Sequence, residues 1–300
     1  MDVIEEVVGS ARAGRAFARR IRESGPWGMR FPAFTGVGFH AVLQGSGWLI
    51  SAAEKPVALR SGDIVLAGHG AEHGLSHTPG VLSDLPVSAM GSRQHDPRPA
   101  AIEMLCSAYR LDGGQVHLFL RQLPAVIRVS PDYGRHPELR SLIDLLDIDV
   151  TQSRLGIGVT RSALVDLLLV HVLRLWQEEQ GSAAWPAIDA AVAAALREIH
   201  QSPQTPWTVQ QLSVMAGMSR TAFTRRFTSA VGKPPMAYLI GWRMVRGAQL
   251  LRETEAPLSA IARQIGYSSE YAFAVAFRRE FGVSPGRFRR RAQAPGDKLG

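Results

Sequence analysis

Apolar positions follow two different rhythms along the 300 residues. From residue 137 onward they return every three or four positions, the period of a helix with one buried face. Before that they come in short runs broken by Gly and Pro, the punctuation of strands and turns. Leu139, Leu142, Ile143 and Leu146 predict a helix over 137–146. Leu164, Leu167, Leu168, His171, Val172 and Leu175 predict a wide apolar stripe on a longer helix over 161–179. Residues 181–186 read as a hinge, and 188–200 as a further helix. In the earlier part, 38–43, 47–51, 57–59, 64–66 and 116–120 predict strands, with Gly62-Asp63 as a hairpin turn. Many short strands at near-regular spacing suggest a barrel or a double sheet.

Near the carboxyl end the pattern repeats itself. Phe223, Phe227, Val231, Gly232 and Pro235 recur 50 positions later as Phe273, Phe277, Phe281, Gly282 and Pro285. Leu212, Ala216 and Gly217 recur 49 positions later as Ile261, Ile265 and Gly266. Each copy reads as helix, short Gly-containing turn, helix. In the first copy Thr208 is the N-cap and Gln211 stands at capping-box spacing, with Leu212, Met215 and Ala216 facing inward. Ser219 caps the next helix, which buries Ala222, Phe223, Phe227 and Val231. In the second copy Ser259 sits near the helix start, and Ile261, Ala262 and Ile265 face inward. Ser268 or Ser269 then caps a helix that buries Phe273, Phe277 and Phe281. A linker helix over 236–252 joins the copies, beginning after Pro234-Pro235 and ending before Pro257. Two reading helices in successive major grooves must sit about 34 Å apart, and a rigid linker suits that.

Charge sharpens the picture. Residues 187–300 carry 16 Arg and Lys against 7 Asp and Glu, whereas residues 1–186 carry 18 against 19. The whole surplus of the chain, +8, therefore sits at the carboxyl end, the footprint expected of a polyanion binder. The early run Arg12, Arg15, Arg19, Arg20 and Arg22 is flanked by Glu5, Glu6 and Glu23 and reads as a solvated face. Hydrophobic content of 46% supports real cores. Apolar runs are too short to span a bilayer, and the amino terminus lacks a signal-peptide pattern, so a cytoplasmic protein is expected. Cys106 is the single cysteine, which excludes an intramolecular disulfide and a Cys-rich zinc cluster.

The segments WTVQQLSVMAGMSRTAFTRRF, GKPPMAYLIGWRM and PLSAIARQIGYSSEYAFAVAFRREFGVSPGRFRRR resemble the AraC/XylS family of transcription regulators over residues 207–291. The resemblance implies base contacts from Thr221, Thr224 and Arg225, with Ser219 and Arg220 beside them. Arg can grip guanine bidentately, and Thr can offer a methyl to thymine. The second copy departs from the family pattern: Ala274-Val275 stands where relatives carry a Ser-Arg pair. Ser268, Ser269, Glu270 and Tyr271 remain available at the helix start, and Arg278 and Arg279 suit phosphates, which position rather than specify. The tail Arg287, Arg289, Arg290 and Arg291 serves either as a phosphate contact or as charge complementing a helix dipole.

FHAVLQGSGWLI and LRSGDIVLAGHGAEHGLS resemble the two sequence blocks of a cupin barrel. Metal-bearing cupins present a His-x-His pair, a Glu and a later His. Here Val42 follows His40 at the second position, and His73 alone survives in the second block. Two candidate ligands fall short of a tight site, even with His69, His77 or Cys106 as further donors, so no metal or other cofactor is assigned. His40, Trp48 and His73 are instead candidate contacts for a small-molecule effector. No phosphate loop, nucleophile elbow or dinucleotide fingerprint is present, so the chain is not expected to be an enzyme. A cupin-type metalloenzyme tethered to nucleic acid is the alternative. The expected architecture is α+β in two domains: a cupin-like sensor barrel over 1–136, then a helical connector over 137–186 and an all-α DNA-binding domain over 187–300 with two helix-turn-helix motifs. The partners implied are double-stranded promoter DNA, a small effector, a second copy of the chain through the connector, and RNA polymerase if the protein activates. No membrane partner is implied.

Overall fold

In the computed structural model the structure describes residues 4, 7–8, 15–88, 99–111, 120–121, 123–152, 155–181 and 189–293. They divide into an amino-terminal body, within 4–185, and a carboxyl-terminal body from 186 onward.

Among the described residues the amino-terminal body holds a bent double sheet and two long helices. Its strands are β1 (Arg15–Glu23), β2 (Gly28–Phe31), β3 (Gly36–Ile50), β4 (Val57–Arg60), β5 (Ile64–Ala67), β6 (His73–Ser76), β7 (Ile102–Arg110) and β8 (Ile127–Val129). One sheet runs β1-β7-β3-β5-β8, and the far half of β3 pairs with β4 and β6 while β6 pairs with β2. The two strands expected over 38–43 and 47–51 are thus one strand of 15 residues serving both sheets. A β-bulge between Val42 and Gln44 bends it. Gly45 completes the bend at φ 88°, where a Cβ would lie 2.1 Å from the carbonyl oxygen of Ala101. For the same reason Gly62-Asp63 is not a hairpin turn: β4 and β5 flank it but belong to different sheets, each paired with β3. Leu49, Leu59, Val65, Leu75, Ile102 and Met104 fill the core between the sheets. The strand expected over 116–120 falls largely outside the described residues.

Helices α1 (Pro137–Thr151) and α2 (Ile157–Gln180) pack on each other and against β1. The basic run at the start is not simply solvated. Arg20 pairs with Glu103 on β7 and with Asp147 on α1, and Arg22 pairs with Glu103. Tyr109 on β7 shares its single hydroxyl proton between the Ser162 carbonyl and Asp166 of α2. These polar ties hold the helices to the sheet at defined points. Val165, Leu168, Leu169, Val172, Leu173 and Trp176 form the buried face of α2, while Leu167, expected in the stripe, is exposed. Among the described residues no helix is long and apolar enough to cross a membrane.

The carboxyl-terminal body is helical: α3 (Ala190–Gln201), α4 (Val209–Met215), α5 (Arg220–Val231), α6 (Pro235–Glu253), α7 (Leu258–Gln264), α8 (Glu270–Phe281) and α9 (Pro285–Gln293). It has two separate cores. Leu196, Ile199, Leu212, Phe223, Phe227, Leu239 and Trp242 make the first; Met244, Ala248, Leu251, Ile261, Phe273, Phe277 and Phe288 make the second. The linker α6 feeds both, turning one set of side chains to each. Deleting a buried Phe from either core costs about 3–5 kcal/mol, so each motif depends on its own aromatic pair.

Candidate nucleic-acid interface

The first motif is built as its residues dictate. Thr208 and Gln211 form the reciprocal capping box of α4: the Gln211 amide donates to Thr208 Oγ1 at 3.2 Å, and the Thr208 amide donates to Gln211 Oε1 at 2.9 Å. Met215 departs from expectation. It is 43% exposed, because a seven-residue helix turns only Leu212 and Ser213 fully inward. Ser219 Oγ accepts from the Ala222 amide at 3.3 Å, which anchors the start of α5. Phe223 and Phe227 are fully buried, so Arg220, Thr221 and Arg225 project outward with Thr224 half-buried beside them. Arg226, adjacent in sequence, is tied at 2.8 Å to Asp189, whose carboxylate also caps α3.

In the second motif the cap is Ser269, whose Oγ accepts from the Ala272 amide at 3.2 Å; Ser268 is exposed ahead of it. The first helix here starts at Pro257 without a side-chain cap, so Ser259 does not play the part of Thr208. With Phe273 and Phe277 buried, α8 presents Glu270, Tyr271, Val275, Arg278 and Arg279 outward. Tyr271 is 77% and Val275 54% exposed, an apolar pair one turn apart on a helix flanked by arginines. The sequence pattern marked Ala274-Val275 as unable to donate; it did not reveal that Val275 and Tyr271 stand together. The basic tail is divided. Arg289 donates to the Ala256 carbonyl at 2.6 Å, while Arg287 and Arg290 are exposed; the side chain of Arg291 lies outside the described residues.

The three candidate effector contacts are not one cluster. His40 and His73 meet, Nε2 to Nε2 at 2.8 Å, both buried, with Phe31 stacked on His73. Trp48 is half-buried and belongs to the outer face of β3, because its neighbour Leu49 packs in the core. The bulge at Val42 to Gln44 shifts the side-chain alternation between His40 and Trp48, which a strict period of two conceals. Register pairs His40 with Cys106, and His40 Nδ1 lies 2.8 Å from the Cys106 sulfur. Proton bookkeeping orders the chain. The Ala71 carbonyl can only accept, so His73 Nδ1 donates to it at 2.7 Å. His73 Nε2 then accepts from His40 Nε2, and His40 Nδ1 accepts from the Cys106 thiol. Both imidazoles are neutral in this arrangement. Burial lowers the pKa of each, that of His40 well below the ordinary value, and raises the Cys106 thiol to about 12. The ring nitrogens are directed at each other and not at a shared centre, and among the described residues no three His, Cys, Asp or Glu side chains form a metal-holding group. His77 is engaged with the Trp27 backbone. The arrangement does not fit a cupin metal.

Two N-capped reading helices, repeated in tandem in the basic half of the chain, define a DNA-binding protein of the double helix-turn-helix class. A family model described as "Cupin" matches residues 2–178, and one described as "Helix-turn-helix domain" matches 212–291. An AraC-like transcription regulator of Streptomyces lividans is 30% identical over 305 residues, covering 98% of this chain and 100% of the relative. The regulator MtrA of Neisseria gonorrhoeae is 26% identical over 302 residues, covering 97% and 98%. Among solved structures, the DNA-binding domain of AdpA in complex with a target DNA is 29% identical over 35% of this chain and 95% of that one, with a TM-score of 0.34. ToxT from Vibrio cholerae is 12% identical over 95% and 100%, with a TM-score of 0.41. The chain belongs to the AraC-like transcription regulators, with a cupin domain ahead of the helix-turn-helix pair. It is a DNA-binding regulator and not an enzyme.

Proposed function

We propose that the protein is an effector-responsive promoter-binding regulator, acting in the cytoplasm, in which the first motif reads bases and the second chiefly anchors. The carrying observation is the contrast between the two outward faces: Arg220, Thr221 and Arg225 on α5 against Tyr271, Val275, Arg278 and Arg279 on α8. In this reading Arg225, Thr221 and Thr224 specify bases with Arg220 beside them, and Ser219 and Ser269 hold the helix starts. Ser268, Glu270 and Tyr271 touch the second half-site, and Arg278 and Arg279 meet phosphates. The domain limits proposed are 1–136, 137–186 and 187–300.

A small-molecule effector is read by the amino-terminal body, where the buried His40–His73 pair is a polar spot in an apolar core. Trp48 faces the other way and is not part of that contact. Dimerisation uses α1, α2 and the turn before α2, where Leu145, Leu155, Val159 and Leu167 are exposed large apolar side chains. RNA polymerase is the further partner if the outcome is activation. The test is footprinting by the full chain on its own upstream DNA, with and without ligands chosen by thermal shift. Protection of two adjacent half-sites that a ligand alters supports the reading; protection no ligand alters removes the effector from it. Sedimentation of Leu167→Glu beside the unaltered chain tests the dimer, which should fall to monomer.

A further inference from the structure

The two cores of the carboxyl-terminal body share no buried side chain, and the fully buried residues of α6 serve the first up to Trp242 and the second from Met244. Between those two residues stands Arg243. Its Nε donates to the Pro203 carbonyl at 2.7 Å, and its Nη2 donates to the Thr205 carbonyl at 2.9 Å. Both acceptors lie on the short connection that leads from α3 into the first motif. The same guanidinium lies 6.0 Å from the ring centroid of Tyr267, in the turn of the second motif. One side chain therefore touches the start of one motif and the turn of the other.

The turn itself is shaped to this contact. Gly266 has φ 86°, and a Cβ there would meet Arg243 Nη2, Gln204 Cα and the Gln204 carbonyl oxygen, each at 2.8 Å. The turn of the second motif thus approaches the connection that leads into the first to backbone distance at this point. Close by, they stand apart: His200, Gln204, Arg246, Leu250, Gln264 and Ile265 line a cavity of about 430 Å³. On that side the space between the motifs is open rather than packed, so the neighbouring contact at Arg243 bears on how they sit. A planar guanidinium holding two carbonyls fixes both direction and distance, which a lysine ammonium does not.

We infer that Arg243 is a positioning residue that locks the two helix-turn-helix motifs at one separation and so sets the half-site spacing the regulator accepts. The inference rests on the reading that both motifs engage the same DNA. Arg243 acts through the backbone on either side of it and touches no base.

The experiment uses the full chain and a duplex selected from a random library by that chain. Versions of the duplex carry about one, two or five extra base pairs between the half-sites, the last being about half a helical turn. The unaltered chain is expected to bind the expanded duplexes roughly tenfold or more weakly than the native one. Arg243→Met removes both donors, and Arg243→Lys keeps the charge without the fork and covers the case in which the first variant does not fold. Each should bind the native spacing more weakly and flatten the profile, leaving native and expanded duplexes within about threefold. A variant that melts earlier yet keeps the full spacing preference overturns the inference, because its arginine then serves folding alone. If the unaltered chain itself shows no spacing preference, the two-motif reading fails first and the inference falls with it.

Discussion

At the scale of single residues, chemistry separates groups that look alike. Arg225 and Arg279 are both exposed arginines, but one sits in the second turn of α5 and the other in the last turn of α8. Reading helices meet base edges with their N-terminal turns, so Arg225 is placed to read and Arg279 to anchor. Arg225→Ala should cost about 1–3 kcal/mol and relax preference at one base pair, while Arg279→Ala should weaken all sequences alike. Binding titrations over a set of single-base operator variants check this, and matching profiles from the two mutants contradict it. His40 and His73 are distinguished in the same way, by surroundings. Both are neutral in the fold, and in the unfolded chain each takes a proton near the ordinary value of about 6.5. Below that pH the unfolded chain binds more protons, so their contribution is complete above about 6.5 and is lost progressively as the pH falls. The melting temperature of the full chain should drop between about pH 7.5 and about pH 5.5, with a shallower drop in His73→Gln. An unchanged slope in that variant contradicts the neutral pair. The pair was half legible: the cupin-like blocks marked both histidines, but Cys106 joins them from a strand 66 residues away in sequence, and no local pattern announces that.

Among the elements, helices were far more legible than strands. The capping box at Thr208, the buried Phe pairs and the prolines at the linker each act over a few residues, so spacing alone reveals them. The strands β1, β2, β6, β7 and β8 went unread, and for β1 the partner is remote: it pairs with β7 from Arg15 opposite Arg110 onward. Their charged residues, Arg20 and Arg22, look like surface until Glu103 is brought opposite. Helix α8 shows what a face adds to a list of residues. Its outward apolar pair, Tyr271 and Val275, cannot exchange hydrogen bonds with base edges through Val275, but a valine methyl can pack on the methyl of thymine. Replacing thymine by uracil in the second half-site removes that methyl and nothing else. We expect weaker binding to the uracil duplex by the unaltered chain and a smaller difference for Val275→Ala. Equal losses for both proteins leave Val275 without a base to read.

For the whole molecule the governing quantity is where the charge lies. The surplus belongs to residues 187–300, at 16 basic against 7 acidic, while the remainder is balanced at 18 against 19. Part of that surplus is already used inside the fold, since Arg226 holds Asp189, Arg243 holds two carbonyls and Arg289 holds the Ala256 carbonyl. The exposed remainder includes Arg220, Arg225, Arg263, Arg278, Arg279, Arg287 and Arg290. Each phosphate such a residue neutralises releases counterions, so the logarithm of the association constant should fall linearly with the logarithm of salt concentration, by about 0.9 per contact. The prediction is a steep slope for the full chain that becomes shallower by about one in Arg279→Ala but not in Arg226→Ala, whose charge is engaged with Asp189. Anisotropy titrations between about 50 and 200 mM salt read the slopes directly. A slope near zero would separate this carboxyl-terminal surplus from DNA binding altogether, and equal changes in the two mutants would mean that the Asp189 pair opens on the duplex.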